Sequence, residues 1–233
     1  TTARLDMDVM KKKGAMNRIL NDFGKGRIDV LTGTQVVAKG LDFRNVGIVG
    51  IISADVTLNI PDYRSPERCF QLITQAAGRA GRGDTRGRVI IQTYTPESYA
   101  VKSAAGHDYK GFFEKENMVR EMLGYPPYGD LMQLVIAGKD LGAVEKSAEG
   151  WRNGLCAALG ETGISMPQRM TTAAEKEGYK FYILIKCPKG RRNEYMAALE
   201  ALKEKEKKTN TKVGKQFKCL AAVDVNPYSI GRS

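Results

Sequence analysis

The chain has 233 residues, 42% of them hydrophobic, and a formal net charge of +11. It is long enough to bury a core and divide into two domains, and its charge calls for an acidic partner. No run approaches the roughly 20 apolar residues of a membrane span and no signal peptide opens the chain; four scattered cysteines (Cys69, Cys156, Cys187, Cys219) and one histidine, His107, argue against zinc and for free thiols in a reducing cytoplasm.

In chain order, Thr1 to Arg4 lead into a basic amphipathic helix from about Asp8 to Phe23. Val9, Met16, Ile19, Leu20 and Phe23 share its apolar face, and Gly24 and Gly26 end it. A strand at Ile28–Leu31 runs into the loop Thr32-Gly33-Thr34-Gln35. The β-branched run Val46–Ile52 has no polar alternation, which predicts a parallel-sheet strand buried on both faces. A helix from Ser65 to Arg79 follows, with Ser65 as its N-cap and Pro66 in its first turn. After a turn at Asp84–Gly87 comes a strand at Arg88–Thr93. Alternating helices and strands predict a doubly wound α/β unit, whose ligands sit beyond the carboxyl ends of the strands. The loop Thr32–Gly40 and the end of the Arg79 helix are both candidates for that edge.

Residues 96–123 read as helical and polar, and Gly124-Tyr125-Pro126-Pro127-Tyr128 stops them. The predicted organisation is therefore an α/β domain over 1–105, a helical connector over 106–124 and a small α+β domain over 125–233. In the last, a strand at Leu131–Ala137 precedes a helix at Leu141–Leu159 whose Val144, Ala148, Trp151, Leu155 and Ala158 face one way. A weak extended piece near Ile164–Thr172, a strand at Phe181–Ile185, a helix at Asn193–Lys208 and a strand at Lys218–Val225 complete a split βαβ order. The Trp151 stripe reads as core rather than as a base-stacking platform. Residues 186–218 hold 11 Lys or Arg against 4 Asp or Glu, a basic block that suits nucleic acid or an acidic peptide. The 203–208 stretch within it reads as a solvated helix.

Two constellations carry chemistry. Gln75-Ala-Ala-Gly78-Arg79-Ala-Gly81-Arg82 sets two arginines three apart, and two guanidinium forks on one face suit a phosphate or nucleotide. Gly78 clears space beside them and Gly81 can end the helix. Taken alone, the motif fits a solvated basic helix end equally well. Earlier, Leu31-Thr-Gly-Thr34-Gln35-Val-Val-Ala-Lys39-Gly40-Leu41-Asp42-Phe43 follows a strand with small residues whose backbone N–H groups can cradle phosphate. Lys39 adds a cation, and Asp42 a carboxylate able to hold a hydroxyl.

Together these resemble motifs V and VI of superfamily-two helicases, in the second RecA-like lobe. Asp62-Tyr-Arg-Ser-Pro-Glu-Arg, Gln92-Thr93, Tyr125-Pro126-Pro127-Tyr128 and Val223-Asp224-Val225-Asn226-Pro227-Tyr228 narrow the resemblance to the PriA (primosomal protein N′) family of replication-restart DNA helicases. Ser165–Gly178 departs from that family's usual Gly-Pro-rich turn. The resemblance implies an ATP-driven enzyme moving 3′ to 5′ on single-stranded DNA, with ATP and Mg²⁺ in the full-length protein. It implies that Arg79 and Arg82 meet the γ-phosphate, and an arginine finger is worth about 10³–10⁵ in rate. Gly40, Asp42, Gln75 and Gly78 are implied at the nucleotide, and Thr34, Gln35 and Lys39 at the DNA.

The sequence contains no G-x-x-x-x-G-K-[ST], no D-E-x-H and no cysteine cluster. The expectation is a carboxyl-terminal portion cut within the second lobe, inactive alone, with zinc only in an upstream region and no cofactor bound tightly here. Implied partners are single-stranded and branched DNA, the acidic tail of single-stranded DNA-binding protein and primosome proteins, in a cytoplasmic, nucleoid-associated setting. The competing reading is a stand-alone module binding branched DNA, that acidic tail or RNA. Phe181 and Tyr182 point to opposite faces of their strand, so they cannot form an RNA-stacking pair.

Overall fold

Two parallel strand pairs and one antiparallel sheet organise the residues that the computed structural model describes: 1–6, 9, 14–34, 46–81, 87–170, 178–210, 218–227 and 230. The chain forms two compact units, Thr1–Glu116 and Asn117–Ser233.

In the first unit, β1 (Thr2–Leu5) pairs in parallel with β2 (Val30–Gly33), and α1 (Ala15–Gly24) connects them. The sequence reading missed β1. Four residues carry no period, and only pairing with a segment 28 residues away makes them a strand. The side chain of Asp29 secures this pair by holding the ammonium and hydroxyl of Thr1. The expected helix from Asp8 is described from Ala15 onward. Its Met16, Ile19, Leu20 and Phe23 are half-buried, and residues 7, 8 and 10–13 lie outside the described residues.

Next, β3 (Ile48–Ile51) pairs in parallel with β4 (Arg88–Ile91), after the short α2 (Asp55–Leu58) and the longer α3 (Ser65–Ala77). Behind this pair come α4 (Tyr99–Ala105) and α5 (Tyr109–Leu123), the latter crossing from one unit to the next. Ile51 and Ile91 pack against Cys69, Phe70, Ile73, Ala100 and Ala104, where Phe70 stacks on Phe112 at 4.3 Å. The expectation that Val46–Ile52 is buried on both faces does not hold. Ile48 and Ile90 are 61% and 54% exposed, because the helices α3 and α4 cover a single face of this ribbon. Ser65 is the first helical residue rather than the cap; its hydroxyl donates to the Ile60 carbonyl at 2.7 Å.

The second unit is a split βαβ fold. β5 (Gly129–Gly138), α6 (Leu141–Leu159), β6 (Gln168–Arg169), β7 (Tyr179–Pro188), α7 (Arg192–Asn210) and β8 (Cys219–Val225) follow in order. The antiparallel sheet is ordered β6-β7-β5-β8. Strand alternation puts Met132, Leu134 and Ile136 of β5, with Phe181, Ile183 and Ile185 of β7, on the face that α6 covers with Val144, Ala148, Trp151 and Leu155. Burying each such aliphatic side chain contributes roughly 1.5–3 kcal/mol. Asp140 caps α6 by accepting from the Ala143 N–H at 2.8 Å. Trp151 is 4% exposed and belongs to the core, as its helical spacing indicated.

Asn226 explains the closing Val-Asp-Val-Asn-Pro string. In a left-handed conformation (φ 53°) it donates its backbone N–H to the Leu131 carbonyl and accepts from the Leu131 N–H through Oδ1 at 2.9 Å. Its Nδ2 donates to Asp130 at 2.8 Å. One side chain thus fastens the end of β8 to the start of β5. Tyr125 has an equally local role: the Lys186 ammonium lies 4.3 Å from its ring centroid and donates to the Leu123 carbonyl.

Candidate functional site

The helix α3 positions the first group of candidate residues. Its apolar stripe, Cys69, Phe70, Ile73 and Ala76, packs inward, which leaves Gln75 and Gly78 exposed on the opposite side. Arg79, four residues beyond Gln75 and half-buried, extends the same side past the helix end. The helix stops at Ala77, two residues earlier than the sequence suggested; Gly78 caps it with an N–H bond to the Thr74 carbonyl. Gly81 has φ 76°, a left-handed value that glycine adopts freely, and its N–H donates to the Val46 carbonyl at 3.0 Å. Since Val46 precedes β3, this turn lies at the amino end of that strand, not at the carboxyl edge expected from the sequence. The helix runs antiparallel to the strands it joins, so its end returns to where they begin. Thr34, by contrast, follows the carboxyl end of β2 and is exposed. Gln35, Lys39, Gly40, Asp42 and Arg82 lie outside the described residues.

Two buried carboxylates, neither singled out from the sequence, organise the same unit. Asp62 sits just ahead of α3 with a side chain 1% exposed. Its Oδ1 accepts from the Arg64 backbone N–H at 3.0 Å and from Arg64 Nε at 3.1 Å, and its Oδ2 accepts from Arg68 Nη1 at 3.0 Å. Burial opposes ionisation, but the hydrogen bonds and charge of Arg64 and Arg68 outweigh it and hold the carboxyl below its ordinary value of 3.8. An ionised Asp62 therefore pins the start of the helix whose far end carries Gln75 and Arg79. The arginines of Asp62-Tyr-Arg-Ser-Pro-Glu-Arg, visible in the sequence, are the signal that could have marked this node.

Asp55 forms the second node. Its Oδ1 accepts from the hydroxyls of Thr93 (3.0 Å) and Thr95 (2.9 Å), and its Oδ2 from the Tyr94 N–H (3.0 Å). These bonds overcome the opposing effect of burial and lower its pKa. They tie the chain leaving β3 to the chain leaving β4, across 38–40 residues of sequence. Cys69 lies close by, its thiol pushed up to about 11 by burial and then by the Asp55 charge. Among the described residues no group of His, Cys, Asp and Glu could hold a metal ion, and no helix is long and apolar enough to cross a membrane.

The second unit carries an open, mostly apolar groove of about 190 Å³ lined by Leu134, Trp151, Met196, Leu199, Ala221 and Val223, with the exposed Glu200 and Lys203 at its rim. In the basic stretch of α7, Lys207 pairs with Glu204 three residues earlier, as a solvated helix does.

Comparison with known proteins gives two family matches. Residues 2–84 match the helicase conserved C-terminal domain, and residues 121–228 the primosomal protein N C-terminal domain. The chain is 39% identical over 226 residues to the replication restart protein PriA of Bacillus subtilis, covering 97% of this chain and 27% of that protein. It is 41% identical over 187 residues to the PriA of Synechocystis, covering 79% of this chain and 22% of that one. For the PriA of Thermotoga maritima the identity is 40% over 138 residues, 59% of this chain and 19% of the relative. The chain thus spans about a fifth to a quarter of the length of these curated relatives.

Proposed function

The chain belongs to the PriA replication-restart family, and from that premise we propose that it supplies the second RecA-like lobe and the carboxyl-terminal domain of an ATP-driven 3′–5′ DNA helicase acting at stalled forks. On this reading the lobe occupies residues 1–105, a helical connector 106–124 and the carboxyl-terminal domain 125–233. Arg79 and Arg82 neutralise charge developing on the γ-phosphate of a nucleotide held by another lobe. Gly40, Asp42, Gln75 and Gly78 contribute to the nucleotide side. Thr34, Gln35 and Lys39 contribute to the DNA side, which couples hydrolysis to movement. Mg²⁺ serves the nucleotide from the other lobe.

The observation that carries the reading is α3. Asp62 clamps it at one end, and at the other it presents Gln75, Gly78 and Arg79 along one side, within a stretch that matches the helicase domain. The second unit, with its own core and the basic 186–218 segment, suits branched DNA, the acidic tail of single-stranded DNA-binding protein and primosome proteins.

The test is DNA-stimulated ATP hydrolysis. Without a phosphate loop this chain alone hydrolyses none. In the full-length protein, changing Arg79 and Arg82 together to alanine lowers turnover by about 10³-fold or more. Hydrolysis retained by that double variant overturns the nucleotide role.

A further inference from the structure

Tyr94 is 90% exposed, yet the backbone that presents it is fixed by several hydrogen bonds. Its N–H is bonded to Asp55, and the hydroxyls of the residues on either side, Thr93 and Thr95, end on the same carboxylate. The Thr95 N–H also donates to the Thr93 hydroxyl at 3.0 Å. Asp55 itself is only 6% exposed, so the ladder is anchored in the interior. Solvated tyrosines need no such support; a rigid, projecting ring already has the order that binding would otherwise have to impose.

The surroundings say what the ring meets. Tyr94 lies just past the carboxyl end of β4, next to the carboxyl end of β3, because the Ala54 N–H bonds the Gln92 carbonyl and the Gln92 N–H bonds the Ile51 carbonyl. In parallel α/β sheets that edge is where ligands bind. Ser53, between the two, holds φ 58°, an uncommon value for a residue with a side chain, and the chain bends there. On this bend Ile52 and Val56 are 81% and 70% exposed. The charge nearest the ring, the Asp55 carboxylate, is turned inward onto Thr93, the Tyr94 N–H and Thr95, and beyond the ring Glu97 pairs with Lys102. The side chains that the platform exposes, Ile52, Val56 and Tyr94, are aliphatic and aromatic, in a protein whose +11 draws polyanions. A partner anionic along its backbone and flat and apolar at its repeating side groups is a single nucleic-acid strand. Thr34, assigned to the DNA side, likewise follows the carboxyl end of a strand in this unit.

We propose that Tyr94, buttressed by Asp55 and flanked by Ile52 and Val56, is a stacking platform for the bases of single-stranded DNA. The inference rests on the helicase reading for its ligand and goes beyond it in naming a base-contacting residue outside both helicase motifs.

The experiment titrates this chain against fluorescent oligo(dT) and against a strand of the same length with abasic sugars, at low and high salt. Tyr94→Ala weakens oligo(dT) binding by on the order of tenfold, by a similar factor at both salt concentrations, since stacking, unlike phosphate contact, releases no counterions. Tyr94→Phe keeps near-normal affinity, and the abasic strand binds the parent and Tyr94→Ala alike. An unchanged thermal midpoint, expected for so exposed a side chain, shows that the fold is intact. Equal oligo(dT) affinity of parent and Tyr94→Ala overturns the proposal, as does an equal loss on the abasic strand or no binding by the parent chain. Because no nucleotide is present, none of these outcomes bears on the ATP test of Arg79 and Arg82.

Discussion

The two units solve the same problem in opposite ways. In Asn117–Ser233, a four-stranded antiparallel sheet and its helices enclose one apolar core, and Leu134, Ile136, Ile183 and Ile185 are fully buried. In Thr1–Glu116, each described strand pair is narrow. Ile48, Ile52, Val56 and Ile90 stay largely exposed, and buried carboxylates fasten the connections. The comparison teaches where to look for function. The buried carboxylates lie in the first unit, where Asp55 and Asp62 each hold a segment at a defined place on the surface.

Perturbing one site in each unit sharpens the contrast, with native-state hydrogen exchange reporting each unit separately. The largest effect is expected from Ile183→Ala. That side chain is fully enclosed, so cavity formation costs the second unit about 2–5 kcal/mol and leaves protection in the first unchanged. Asp62→Asn comes next and strikes the first unit. Breaking a buried pair costs about 3–5 kcal/mol, reduced to about 2–3 here because Arg64 and Arg68 are 18% and 27% exposed and keep some solvation. Its pH signature has a definite sign. The folded pKa of Asp62 lies below 3.8, so its stabilisation is complete above that value and disappears as pH falls through the folded pKa. The asparagine variant lacks that acid-dependent component, and an acid limb identical to the parent's would refute the clamp. The smallest effect is expected from Ile52→Ser. At 81% exposure it changes stability by less than about 0.5 kcal/mol. A large loss there would mean that the bare face is covered in solution.

Legibility in the sequence follows the same division. The helix Leu141–Leu159 coincides with its predicted limits, and β7 extends the predicted Phe181–Ile185, since amphipathic period and strand alternation are local signals that a closed core reinforces. The two residues of β6 and the four of β1 are too short to carry a period and exist through their partners. The family's motifs made the nucleotide candidates readable as residue types, but not the return of α3 to the amino end of β3, which depends on chain direction in space. Asp55 was illegible because its partners lie 38–40 residues downstream, and no local pattern announces a hydrogen bond of that span.

The Asn226 clasp has an architectural consequence. It joins residues 95 positions apart, so the second unit's first and last strands are stitched together at a single corner of the sheet. Sequence can then be lengthened before β5 or after β8 without prising any strand from its neighbours. A domain with both its doors on one corner tolerates additions at either terminus, and shortening it past Asn226 would undo the stitch.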